Sequence, residues 1–511
     1  MSDWTEGYFT DVGYTFGYYR ELNPLHAKIA LQDYNVACPE VRSACELGFG
    51  QGLSVNIHAA ASTVQWCGTD FMPEQAAFAQ KLAAASGAHV QLCNDSFESF
   101  AKRKDLPDFD FIGLHGIWSW ISNNNRRVIV DFLKKKLKPG GVLYISYNTL
   151  PGWADFLSLR HLMTQYMVST ADPRQHRLEQ VRECIAFLDR FLATNPGFAL
   201  VNPNIRNRLK SMHKRDAHYL AHEYFNRDWY PIHFTDIVQW FQSTQLEYIC
   251  SARYLYHING FNISSEQEAF LQSITDPVFR ESVNDFMINR QFRWDYWVKE
   301  PKEMNKKERE SILQNQQYIL TMPVSEVSLQ VTEALGKVDL EPEIYKPILE
   351  LMSDYQPRTL RQIEEELQGK TLKFKQLYQG IVVLLGKGCM EPVQAEESMH
   401  QTKAQTEGLN AFLCNQSKAS NDIAFLSSPL TGGGIAVSRV EQLFLQNFRQ
   451  GQRETQQWVE YAWQQLSAGG SKVVKEGHIL NSPEENLAEL HSLAARFAKE
   501  RLPMLRVLGI V

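Results

Sequence analysis

Three short segments carry residues suited to one extended polar ligand. In Glu46-Leu47-Gly48-Phe49-Gly50-Gln51-Gly52 a carboxylate precedes three glycines at alternate positions. Where a strand turns sharply into a helix against a ligand, glycine admits positive φ and removes the Cβ that would block close approach. The spacing differs from the dinucleotide G-x-G-x-x-G pattern, and an acid at its start suits an ammonium group better than a pyrophosphate. Gly68-Thr69-Asp70 comes next, with Asp70 placed 24 positions after Glu46 (70 − 46). An acid there can accept from both hydroxyls of a ribose. Asn94-Asp95-Ser96 follows, where a carboxylate can accept from an adenine amino group.

These residues need strands that end side by side. Short apolar runs at Ser43–Leu47, Val64–Thr69, His89–Cys93, Phe109–Leu114 and Val142–Tyr147 alternate with helical patterns near Leu53–Ala61, Pro73–Ala85, Phe97–Lys102 and Asn125–Leu137. Alternating strands and helices build a parallel sheet with right-handed crossovers, so the expected fold class is α/β, a doubly wound Rossmann-like sheet. Lys138-Pro139-Gly140-Gly141 reads as a helix stop and turn before the fifth strand. Each ligand-binding segment then falls at a strand's carboxyl end, where open α/β sheets bind ligands.

Glu46 to Gly52, Asp70, Asp95 and Lys138 to Gly141 together resemble the class I S-adenosylmethionine (SAM)-dependent methyltransferases over about Arg42 to Tyr147. The resemblance implies SAM as cofactor and S-adenosylhomocysteine (SAH) as product. It implies a cofactor-binding set of Glu46, Gly48, Phe49, Gly50, Gly52, Asp70, Phe71, Asn94, Asp95, Ser96 and His115. The methionine moiety would lie near the glycine loop, the ribose at Asp70, and the adenine at Asp95 and Ser96.

A narrower likeness lies outside that region. Tyr14 to Pro24, His115-Gly116-Ile117-Trp118-Ser119-Trp120-Ile121 and Ala221-His222-Glu223-Tyr224-Phe225-Asn226 look like bacterial methyltransferases with a methyltransferase regulatory domain. That group includes rickettsial protein lysine methyltransferases that modify outer-membrane proteins. The likeness implies protein lysine N-methylation, with bacterial surface or outer-membrane proteins as partners. Two other readings stay open: a small-molecule N- or O-methyltransferase, and a SAM-binding regulatory protein without turnover.

A lysine acceptor must lose a proton from a reference pKa near ~10.4 before it attacks. An aromatic slot with one or two acceptors can desolvate the amine and hold a methylammonium over ring faces. Tyr18, Tyr19, Trp118, Tyr147 and Trp153 are candidates for that slot or for core and lid packing. His115 follows the fourth strand, where it can orient substrate, accept a proton, or cap a turn and touch the cofactor. The catalytic candidates are thus His115, Tyr18 and Trp118. The Asn/Asp-Pro-Pro-aromatic signature of nucleic-acid amino-methyltransferases is absent here, which argues against DNA bases as acceptors.

His218 and His222 stand four apart, near His213 and Glu223, but Asn226 occupies the last position of a His-Glu-x-x-His order. No metal is expected, and a structural role is assigned to Glu223. Gly432-Gly433-Gly434 lacks a following Gly-Lys-Ser/Thr and reads as a turn.

A chain of 511 residues exceeds one ordinary core. The expected divisions are an aromatic lid segment (1–40), the SAM-binding domain (41–153), a helical cap (154–230) and a return to the sheet with a regulatory region (231–300). A winged-helix-like middle domain (301–395) and a mostly α C-terminal domain (396–511) follow, with Gln394 to Gly408 as a polar linker. The net charge of −6 offers no general attraction to nucleic acid or anionic membrane. Basic residues between Arg358 and Lys387 are interrupted by Glu364, Glu365 and Glu366. The eight cysteines form no Cys-x-x-Cys pair, and no basic-then-apolar leader or membrane-length apolar run is present. Reduced thiols and a cytoplasmic location are expected.

Overall fold

Five apolar runs become the parallel strands β1 Ser43–Leu47, β2 Gln65–Thr69, β3 Val90–Cys93, β4 Phe109–Leu114 and β5 Leu137–Asn148. The computed structural model describes residues 15–170, 172, 174–367 and 372–511. Tyr14 of the aromatic leader, Pro173 and Lys370 lie outside the described residues. Two later strands, β6 Leu246–Ser251 and β7 Phe292–Lys299, complete a seven-stranded sheet ordered β3-β2-β1-β4-β5-β7-β6. β7 runs antiparallel to both neighbours. The order reverses between β1 and β4, which opens a crevice at their carboxyl ends.

Both faces of the sheet are covered, so β1 and β4 are buried along their whole length rather than at alternate positions. Ala44, Trp66, Phe111 and Tyr144 face helices Pro24–Asp33, Leu53–Ala61 and Pro73–Ser86. Cys45, Cys67, Ile112 and Leu143 face the layer of Asn123–Lys136 and Phe234–Phe241. At the opposite end from the crevice, Asp110 accepts from the Arg42 and Ser43 amides at 3.0 Å and pairs with Lys138 at 2.9 Å, tying β1, β4 and β5 together. The Lys138 to Gly141 segment, read as a turn, lies inside β5. Gly140 takes a φ of 76°, and the pairing with β4 jumps from Phe109–Leu137 to Phe111–Val142, so the extra residues form a bulge.

The cap helices Ala154–Ser169, Arg177–Ala193, Asn204–Met212 and Ala217–Tyr224 surround a separate core that includes Phe156, Leu188 and Trp229. Beyond β7, helices Pro342–Leu351, Leu360–Glu366 and Phe374–Gly386 pack beside a three-stranded sheet. Its middle strand, Gln317–Leu320, precedes the first of these helices, and Met390–Pro392 leads on to another helix rather than a hairpin wing. The third strand, Arg358–Thr359, lies between the first two helices and pairs with Gln317–Leu320.

The polar linker expected from Gln394 to Gly408 is instead the start of the 21-residue helix Glu396–Gln416. Its Leu409 and Leu413 share a core with Leu53, Ile57 and Leu82 of the sheet's own helices. Polar residues misled the reading because Thr402 and Thr406 are buried, their hydroxyls bonded to the preceding helical turn. All eight cysteines are free and seven are buried. Among the described residues no helix is long and apolar enough to cross a membrane.

Candidate active site

The chain leaves β1 through Gly48 and Gly52, with φ of 73° and 71°. A Cβ on Gly48 would meet Ile117 Cδ1 at 2.4 Å, and one on Gly52 would meet Ala79 Cβ at 2.4 Å. Backbone conformation and space therefore both demand glycine. Above this turn lies a chamber of about 280 Å³.

Asp70 follows β2 directly and fixes the turn: its Oδ2 accepts the Gly50 amide and its Oδ1 the Met72 amide, both at 2.9 Å. Each carboxylate oxygen keeps a second lone pair, enough for two ribose hydroxyls. Burial pushes its pKa up to about 6 despite those two amides. Glu46 is 3% exposed, and its Oε2 has no hydrogen-bond partner among the described residues. Burial, and then the nearby Asp70, raise it to about 8. A buried carboxyl oxygen left unpaired is costly, and an ammonium group would satisfy it. Glycine cradle, unpaired acid and two-oxygen acceptor thus fit the amino-acid and ribose parts of SAM.

Phe49, Phe71, Asp95 and Ser96 also line the chamber. Asp95 pairs with Arg103 at 3.0 Å, while its carbonyl accepts from Thr69 at 2.6 Å. Ser96 caps the short helix Phe97–Ala101. Asn94 is exposed and outside the chamber wall, its amide donating to the Asp70 carbonyl at 3.0 Å.

His115 sits at the end of β4 in the chamber wall. Its Nδ1 lies 2.7 Å from the Tyr144 hydroxyl and 3.3 Å from Ser146 Oγ, and Tyr19 stacks on its ring. Burial lowers its pKa to about 3, so it is neutral at ordinary pH. The other two catalytic candidates lie elsewhere. Trp118 is fully buried in the layer beneath the sheet, against Trp240 and Phe241, because the turn Trp118–Trp120 points its first ring inward. Trp120, two residues on, is the ring in the chamber wall. Tyr18 lines a neighbouring cavity instead of the chamber, its hydroxyl accepting the Gly434 amide at 2.7 Å beside His58. Tyr147 donates to Asp295 in the core, and Trp153 belongs to the cap.

A second cavity of about 960 Å³ adjoins the first. Tyr19, His115, Gly116, Trp120, Tyr219 and Glu223 border both, so they form a neck between them. Sequence reasoning passed over Tyr219 and Trp120 and gave Glu223 a structural role. Tyr219 and Glu223 stand one turn apart on helix Ala217–Tyr224, a spacing visible in the sequence. Nothing in the sequence says that this helix lies over the end of β4. Among the described residues no group of His, Cys, Asp and Glu side chains could hold a metal ion.

Comparison with known proteins agrees with this geometry. Residues 44–141 match a family model described as a methyltransferase domain, and residues 216–299 match a predicted methyltransferase regulatory domain. An uncharacterised protein of Synechocystis, sll1526, is 36% identical over 99% of both chains. An uncharacterised Rickettsia prowazekii protein, RP789, is 28% identical over 56% of this chain and 51% of its own. The structure of PKMT2 from Rickettsia typhi in complex with AdoHcy superposes with a TM-score of 0.70 at 19% identity, covering 97% of this chain and all of that one. The chain belongs to one family with the Synechocystis protein, and it is a class I SAM-dependent methyltransferase carrying a methyltransferase regulatory domain.

Proposed function

We propose that this methyltransferase acts on the side-chain amines of lysines in proteins. The observation that carries the reading is the neck: one face opens on the cofactor chamber and the other on a cavity more than three times as large. A small metabolite needs no such antechamber, whereas a lysine on a polypeptide must reach the methyl donor through a narrow passage. The passage is also chemically suited to an amine. Tyr19, Trp120 and Tyr219 offer ring faces to a cation, and Glu223 offers a carboxylate.

In this reading Glu46 holds the cofactor's ammonium, Asp70 its ribose, and Asp95 and Ser96 flank its adenine. SAM supplies the methyl group, whose bond to sulfur breaks as the amine's lone pair forms the new N–C bond, leaving SAH. The protein's own work is alignment and exclusion of water, since in-line displacement depends on both. Neutral His115, wedged between Tyr19 and Tyr144, keeps the neck in shape and presents no competing cation.

Labelled SAM incubated with unfolded, lysine-rich bacterial surface proteins, followed by peptide mass spectrometry, tests the proposal. Methyl-lysine in the peptides is expected. Turnover on small amines or hydroxyls with no labelled protein would overturn it.

A further inference from the structure

We propose that Glu223 is the residue that binds the acceptor's ammonium in the neck and takes its proton before methyl transfer. This rests on the lysine reading above and names the group that would make such an acceptor reactive. Glu223 borders the cofactor chamber on one side and the outer cavity on the other. An acceptor moving from one to the other must pass it. Helix Ala217–Tyr224 supplies it together with Tyr219, and the Trp120 indole donates to its carbonyl at 3.5 Å, holding the helix against the loop after β4.

The alternatives within the neck are poor bases. His115 is neutral with its Nδ1 against the Tyr144 hydroxyl, and burial pushes Tyr19 up to about 12. Glu223 itself is raised to about 7, by burial first, with Asn148 and Arg215 pulling the other way. The charged and titratable groups around it are Arg215, Tyr219, His222 and Tyr224 from its own segment, Tyr19 and His115 across the neck, and Asp228 at the chamber wall. Ionised Glu223 attracts the lysine ammonium; an Nζ–H bond breaks, the proton passes to the carboxylate, and the electron pair stays on nitrogen. The neutral amine is then the nucleophile, and the carboxyl group returns its proton to solvent through the outer cavity.

The test uses the full-length chain with a lysine peptide found in the mass-spectrometric assay. At saturating SAM, kcat/KM for the peptide should rise with pH through about 7 in the wild type. Glu223→Gln should lose that limb and about 100-fold or more in kcat. Glu223→Asp should restore part of the rate. In calorimetry with SAH bound, peptide affinity at pH 8 should fall about tenfold or more in Glu223→Gln, while SAH affinity stays within about threefold. If Glu223→Gln does not fold, the wild-type profile decides: a rate flat between pH 6 and 8 overturns the assignment. Lysine methylation with an unchanged Glu223→Gln variant overturns Glu223 and leaves the function standing. No methyl-lysine from the wild type overturns both.

Discussion

Tyr19 lies almost flat on His115, with ring centroids 3.4 Å apart and planes 20° from parallel. The Tyr19 amide donates to Ser54 Oγ at 2.9 Å, on the helix that follows the glycine loop. The leader before the sheet and the loop after β4 thus form one wall of the neck together, and Tyr219 and Glu223 of helix Ala217–Tyr224 border it from the cap.

Removing that ring should hydrate the imidazole. Burial alone lowers His115, so Tyr19→Ala should raise its pKa from about 3 toward the ordinary histidine value, as read by NMR titration of the ring protons. Methyl transfer should fall about tenfold or more because water enters the neck, while Tyr19→Phe, which keeps the stack, should stay within about threefold. An alanine variant with unchanged titration and rate would remove Tyr19 from the wall.

Asp70 has a structural duty beside the ribose-binding role proposed for it. Its carboxylate satisfies the Gly50 and Met72 amides, so Asp70→Ala leaves two buried donors unpaired. The expected cost is about 1–3 kcal/mol per donor in thermal unfolding, with at least about tenfold weaker SAH binding by calorimetry. Asp70→Asn retains one acceptor oxygen and should fall between. Full SAH affinity in the alanine variant would displace the ribose from this site.

Much of the chamber was legible in the sequence because it is local. Glu46 to Gly52 sits on one strand–turn–helix, and Asp70 and Asp95 follow the next two strands, so a strand order of the doubly wound kind brings them together. The neck was not. Tyr18 and Tyr19 are adjacent and chemically alike, yet one faces Gly434 and the other His115. Trp118 and Trp120 divide in the same way across one turn. Such sidedness depends on which distant segment packs there, and periodicity says nothing about segments 400 residues apart.

Gly434 marks one such contact. A Cβ there would lie 2.9 Å from the Tyr18 ring, and one on Gly433 would lie 2.7 Å from its hydroxyl. The triple glycine is the place where the C-terminal region clasps the leader. Gly434→Ala should therefore cost about 1–3 kcal/mol of stability and lower kcat/KM for acceptor more than SAH affinity. Tyr18→Phe removes only the hydroxyl, and should cost about 1 kcal/mol of stability with kcat within about threefold. A collapse of kcat in Tyr18→Phe, with folding intact, would return Tyr18 to the chemistry.

The proposed pairing of Glu46 with the cofactor's ammonium predicts that ligand binding depends on pH. With its carboxyl raised to about 8 in the ligand-free chain, against an ordinary value of 4.5, the folded state holds a proton that the unfolded state has lost. Stability from this group is present below pH 4.5 and is lost as pH rises toward 8, on the order of 1.4 kcal/mol per unit. An ammonium beside Glu46 favours the ionised form, so SAH binding must release that proton. Affinity should strengthen as pH rises from 6 to near 8, by up to about tenfold per unit, and then level as Glu46 is fully ionised and the ligand's own amine begins to lose its charge. Glu46→Gln carries no proton to lose. It should bind SAH more weakly with that proton-release term gone, and should melt above the wild type at pH 8 with the gap closing toward pH 5. Calorimetry in buffers of different ionisation enthalpy counts the released proton directly; wild-type binding without proton release at pH 7 would refute the pairing of Glu46 with the cofactor's ammonium.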